Sequence, residues 1–189
     1  MNTNHFFPAL IALLTLALNP MVAPDIQAQS GANEESIVYL TQKTEPGTPF
    51  VLTVTVLNVA DRTPVNNVRV FIYQTNSKGD YERNKAGVAR ISGTAYSDQN
   101  GKITFHTIYP RGYNDSPTGE HMHFRISAPG FQTANADLIF ADYYRKRYNF
   151  DRPYTYKVYL KTLEKADGKM SGEAFIFMKK KSGGVPGAT

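Results

Sequence analysis

The sequence contains no cysteine and no tryptophan. Without thiols there is no disulfide, zinc ribbon, iron–sulfur cluster or thiol nucleophile. It also lacks an apolar run of about 20 residues, the length a membrane-spanning helix requires. No stretch after residue 30 carries the apolar period of an amphipathic helix. The basic residues form no stripe with interleaved aromatics, so nucleic-acid binding is not expected. Lys179-Lys180-Lys181-Ser182-Gly183-Gly184 reads as a solvated, mobile basic end.

What remains is an ordinary globular composition: 189 residues, 41% apolar and 20% charged, with 12 tyrosines, 11 phenylalanines and a formal charge of +5. That suffices for one domain with a proper core. The run Ala9 to Leu18 is apolar or small throughout and is followed by polar, small-residue sequence with Ile26-Gln27-Ala28 as the expected cleavage site. It reads as a secretory signal peptide, although no Lys or Arg precedes it. The expectation is therefore a secreted or periplasmic protein. Cleavage after Ala28 removes Asp25 and no Lys or Arg, which leaves 161 residues (189 less 28) and raises the charge from +5 to +6.

The mature chain reads as short strands separated by turn chemistry. Phe50 to Asn58 is rich in β-branched residues, and Val68, Val70 and Ile72 recur at period two. Asn100-Gly101 is a tight-turn signal before Lys102 to Ile108. His121 to Ser127, Leu138 to Ala141, Tyr156 to Leu160 and Ala174 to Met178 complete the expected set. The spacing predicts an all-β, antiparallel β-sandwich in a single domain. The expected limits are a signal peptide over 1–28, an N-terminal extension over 29–47, the sandwich over 48–178 and a basic tail over 179–189.

The candidate chemistry begins at His121-Met122-His123. Residues i and i+2 of a strand share a face, with Cβ atoms roughly 7 Å apart, so both imidazoles can reach one ion while Met122, Phe124 and Ile126 enter the core. A pair supplies half a coordination shell, so two surface histidines fit the same pattern. Of the nearby carboxylates, Asp115 and Glu120, the latter has the wrong parity. Tyr81 and Tyr113 each follow a strand, and phenolates are hard donors suited to a trivalent ion.

Three segments in order resemble the intradiol ring-cleavage dioxygenases, such as the protocatechuate 3,4- and catechol 1,2-dioxygenases. They are Phe71-Ile72-Tyr73-Gln74 with its turn to Gly79-Asp80-Tyr81, Ser97-Asp98 through Phe105 and Thr107-Ile108-Tyr109-Pro110 to Tyr113, and His121-Met122-His123-Phe124. The resemblance spans about Thr48 to Tyr143. It implies a mononuclear non-haem Fe(III) held by Tyr81, Tyr113, His121 and His123. It further implies a catechol-type substrate cleaved with O2 between its two hydroxylated carbons to a muconic-type diacid. Tyr113 would be the tyrosinate displaced by substrate and the acceptor of its proton.

Three departures stand out. The family's Arg, three residues before the first His, is Thr118 here, and Arg125 shares strand parity with the histidines, so Arg125 is the expected catalytic cation, ahead of Arg83 and Arg111. The usual Trp before the Gln is Tyr73, and the segment Glu82 to Ser92 is shorter than in many members. A second resemblance joins Pro64 to Val70, Asp98, Gly101 and Ser127-Ala128-Pro129-Gly130-Phe131 to carboxypeptidase-regulatory and transthyretin-like binding modules. An iron-binding but catalytically impaired homologue is the other alternative. Both tyrosines and the histidine pair separate the iron-binding readings from a purely structural module, which has no need of them.

Overall fold

In a computed structural model of the chain, residues 34–112, 119–140 and 158–182 are described. The apolar run Ala9 to Leu18 with the expected cleavage site, Tyr113, Asp115, Thr118 and the end of the basic tail lie outside them. Among the described residues there are one 3-10 turn, Glu34–Ser36, and nine strands. These are β1 (Ile37–Tyr39), β2 (Pro49–Asn58), β3 (Arg69–Tyr73), β4 (Ser92–Tyr96), β5 (Lys102–Ile108), β6 (His121–Ser127), β7 (Ala134–Ile139), β8 (Val158–Ala166) and β9 (Lys169–Met178). They form a five-stranded sheet, β1-β5-β2-β9-β8, and a four-stranded sheet, β4-β3-β6-β7.

Period-two patterning decides which side chains go inside. Phe50, Leu52, Val54 and Val56 of β2 are buried, as are Val70 and Ile72 of β3 and Met122, Phe124 and Ile126 of β6. These residues join one apolar core with members from both sheets. Phe105 of one sheet meets Phe124 of the other edge-to-face, with ring centroids 6.5 Å apart. Each such side chain contributes roughly 1.5–3 kcal/mol by leaving water. The alternate residues of β3 and β6, namely Phe71, Tyr73, His123 and Arg125, therefore stand on the outer face of the four-stranded sheet.

The all-β expectation holds, but the sheets are not wholly antiparallel. β2 pairs with β9 in parallel over Phe50 to Asn58, and β1 pairs with β5 in parallel. Neither pair is a hairpin. Each strand is reached only after the chain has passed through the other sheet or around its partner, so no tight turn forces opposite directions. β1 and β4 were not expected, and β7, β8 and β9 are longer than the sequence suggested. The β8–β9 hairpin turns at Asp167 and Gly168, both at positive φ (50° and 71°), as a two-residue Asp-Gly turn does. The first tail lysines continue the fold: Lys179 O accepts from Gln132 N and Lys181 N donates to Gly130 O.

Candidate metal centre

Tyr81 is delivered to the outer face of β6 by a turn built from its own sequence. Gln74, fully buried, donates to the Ile108 carbonyl at 2.8 Å and accepts from Thr107 Oγ1 at 3.1 Å, which locks the end of β3 to β5. Asn76 Oδ1 then accepts from the amides of Lys78 and Asp80 at 2.8 and 3.0 Å. This Asx arrangement reverses the chain immediately before Tyr81. Gly79 (φ 90°) lets the turn pass close to Gly112, since a Cβ there would lie 2.9 Å from the Gly112 carbonyl oxygen. Gly112 in turn packs on Gly119, where a Cβ would lie 2.6 Å from the Gly119 carbonyl carbon.

Beyond Tyr81 the chain forms a closed loop. Arg90 N donates to Tyr81 O at 2.9 Å, and Asn84 Oδ1 accepts from Ala86 N and Val88 N. Arg90 also binds both Glu45 oxygens at 2.9 and 2.7 Å and pairs with Glu82. Its hydrogen bonds hold the Glu45 and Glu82 carboxyls below the usual carboxylate range, with Arg90's charge adding to the effect. A depressed carboxylate stabilises the fold above its unfolded value, and that contribution is lost as pH falls through the folded one. Arg90→Ala is thus expected to speed hydrogen exchange of the 81–90 amides at neutral pH. The difference should shrink as pH falls through these depressed values, and once both carboxyls are protonated parent and variant should exchange alike. Equal protection at neutral pH would show that the ion pairs do not hold the loop.

The histidines are oriented from behind. His123 Nδ1 donates to Asp137 Oδ1 at 2.7 Å, the two residues being cross-strand partners of β6 and β7. That hydrogen bond from His123 lowers the Asp137 pKa, against the effect of partial burial, so the carboxylate can only accept. His121 Nδ1 donates to the Gly119 carbonyl at 2.8 Å. In a neutral ring both contacts place the lone pair on Nε2. His123 Nε2 lies 2.7 Å from Tyr81 Oη, and the two imidazole rings stand nearly perpendicular at 4.8 Å between centroids. His121 is buried, and Tyr73 stacks on His123 at 4.5 Å.

Tyr81, His121 and His123, which the sequence set apart by up to 42 positions, are thus brought together, while Tyr113 lies outside the described residues. Among the described residues, no group of three or more His, Cys, Asp or Glu side chains could hold a metal; the third donor beside the histidines is a phenol. Neighbouring donors, each about 2 Å from a shared ion, sit roughly 3 Å apart, and the Tyr81–His123 contact has that spacing. The donor set of two imidazoles and a phenol, with a carboxylate behind one imidazole, fits a hard trivalent cation. Arg125 stands on the histidine face, opposite Phe71 in register, with its guanidinium 5.7 Å from the Phe71 ring and 5.8 Å from the Tyr73 ring. A larger hollow of about 780 Å³ lies at residues 39–45 and is lined by none of these donors.

The model of a protein family described as Dioxygenase matches residues 21–152. The chain belongs to the intradiol ring-cleavage dioxygenases. Catechol 1,2-dioxygenase 2 of Acinetobacter lwoffii is 29% identical over 117 residues, covering 52% of this chain and 42% of that protein. The dioxygenase domain of a dioxygenase–carbohydrate-binding fusion from Streptomyces sp. SirexAA-E shares the fold at TM-score 0.59 and 20% identity, covering 84% of this chain and 98% of that one. 3-Chlorocatechol 1,2-dioxygenase of Rhodococcus opacus 1CP also superposes at TM-score 0.59, with 16% identity over 79% of this chain and 66% of that one. The family member described here thus spans less than half the length of the curated relative.

Asp137 is the site residue that sequence reading passed over. Ala134-Asn135-Ala136-Asp137-Leu138 alternates small or apolar with polar residues. Starting the strand there rather than at Leu138 would have put an acid on the face of β7 beside the histidines.

Proposed function

We propose that this dioxygenase is a mononuclear non-haem Fe(III) enzyme that cleaves a catechol-type ring between its hydroxylated carbons with O2, giving a muconic-type diacid. The observation that carries the reading is the Tyr81–His123–Asp137 chain, with both contacts at 2.7 Å and His121 alongside. Tyr81, His121 and His123 would hold the ion, with Tyr113 as the fourth ligand. The ion would supply Lewis acidity that activates a catechol toward O2.

The protein's own part is orientation and proton handling. Asp137 and the Gly119 carbonyl fix the histidine tautomers so that each neutral ring keeps its lone pair on Nε2. Tyr113 would accept a catechol proton at its phenolate oxygen. Arg125 is the cation on the histidine face, and its guanidinium lies at the Phe71–Tyr73 margin of the site. An iron assay and a visible spectrum of purified protein, followed by oxygen uptake with catechol, protocatechuate and hydroxyquinol, test the proposal. About one Fe per chain and a red to brown tyrosinate charge-transfer colour are expected. Protein that stays colourless after iron reconstitution would sink the iron reading and leave a non-catalytic binding module on the dioxygenase fold.

We also propose export. The mature N-terminus on protein from the native host is expected near Gln29, on the strength of the Ala9 to Leu18 run. Mass spectrometry that finds Met1 intact would count against it.

A further inference from the structure

Beside the metal centre, between the loop after Tyr81 and the outer face of β3 and β6, lies a cavity of about 170 Å³ lined by Phe71, Tyr73, Arg83, Val88 and Arg125 among others. Its floor is the pair of rings Phe71 and Tyr73, with centroids 6.0 Å apart. Its charged groups are both guanidiniums. Arg83 lies 5.9 Å from the Tyr73 centroid and 4.5 Å from that of Tyr81, and its Nη1 is anchored on the Gly87 carbonyl at 2.7 Å. Arg125 lies 5.8 Å from the same Tyr73 ring and 5.7 Å from that of Phe71. The same Tyr73 ring stacks on His123, so the cavity and the histidines share a wall.

The acids nearby are engaged elsewhere. Glu82 and Glu45 are bound by Arg90, and Asp137 by His123. Among the described residues, no carboxylate lies within ion-pair distance of Arg83 or Arg125. Two cations that face one small cavity repel each other, and each lies against the aromatic floor. A planar anion placed between them relieves the repulsion. Its flat face can lie on the rings while each guanidinium donates in its own plane to a carboxylate oxygen. At 170 Å³ the space suits a substituent rather than a whole ligand.

We infer that Arg83 and Arg125 form a carboxylate subsite, so that the catechol taken by this centre carries an anionic group. This rests on the dioxygenase reading of the neighbouring histidines. The test is calorimetric titration of the iron-loaded protein, without O2, with 3,4-dihydroxybenzoate and with its methyl ester. Hydrogen bonds to charged groups discriminate by about ten- to a hundredfold, and both arginines are partly solvated, so a preference for the acid of about tenfold is expected. Arg83→Gln and Arg125→Gln should each bring the acid-to-ester ratio toward one, and Arg125→Lys should keep part of it. Equal affinity for acid and ester in the parent, or an unchanged ratio in both Gln variants, would overturn the subsite.

The same comparison on metal-free protein, with benzoate against methyl benzoate, separates the two proposals. Benzoate preference that depends on the arginines, in a protein that cleaves no catechol, supports the subsite and rejects the dioxygenase. Ring cleavage with no preference for an acid rejects the subsite alone.

Discussion

His123→Ala is expected to reduce bound iron from about one per chain to nearly none and to abolish the visible charge-transfer band. The variant should stay folded. His123 is on the outer face of its sheet with its side chain 20% exposed, so truncation opens no hole in the core. Asp137→Ala removes the group behind that imidazole rather than the ligand, and a change of that kind costs about 10- to 100-fold in metal affinity. Its iron should be lost to a chelator at concentrations that leave the parent loaded. His121→Ala should lose iron as His123→Ala does, though His121 is buried and its truncation will also lower stability. Elemental analysis beside thermal unfolding reads both effects. A folded His123→Ala protein that keeps its full iron would remove His123 from the ligand set.

Thr118→Arg is expected to raise the rate of ring cleavage of unsubstituted catechol. A preorganised donor at developing charge is worth about 10²–10³ in rate. Thr118, which lies outside the described residues, stands where the family has its arginine. The cation described nearest in kind, Arg125, lies over Phe71 and Tyr73 instead. Oxygen uptake with diacid product analysis is the measurement. If Thr118→Arg gives no gain while Arg125→Ala abolishes turnover with iron retained, Arg125 already carries the charge. Full iron loading and a catechol-induced spectral shift with no ring-cleaved product from any catechol would leave an iron-containing catechol binder.

The strands that could be read from the sequence are those whose faces differ in polarity. β2, β5 and β6 alternate branched or aromatic residues with polar ones, and their limits lay close to those expected. β1 has three residues, and β4, Ser92-Gly93-Thr94-Ala95-Tyr96, holds no large aliphatic residue, so neither announces itself. β8 carries Lys161, Glu164 and Lys165 at exposed or half-exposed positions and has a bulge between Leu160 and Thr162 that breaks its period. Its turn, Asp167-Gly168, is a hairpin signal that the sequence reading passed over. The parallel pairings were not legible, because strand direction across a sheet depends on partners far away in sequence. The site divides in the same way. The histidine pair is a local pattern, and Tyr81 entered through its resemblance to a motif. Asp137 became visible only when the β6–β7 register set it beside His123, and Arg83, already one of three candidate cations, was placed by the closed loop after Tyr81.

The parallel pairing of β2 with β9 couples two of the most distant parts of the chain, since Phe50 lies beside Met170 and Asn58 beside Met178. On the ribosome, β2 emerges more than a hundred residues before the strand that covers one of its two edges. Until then that edge, in the middle of the finished sheet and flanked by apolar side chains, is an open template for another strand. A contact of such long range is closed late and slowly. Synthesis of this protein thus includes a period in which most of the chain exists without its central seam, and pairing with other nascent copies competes with the proper partner throughout.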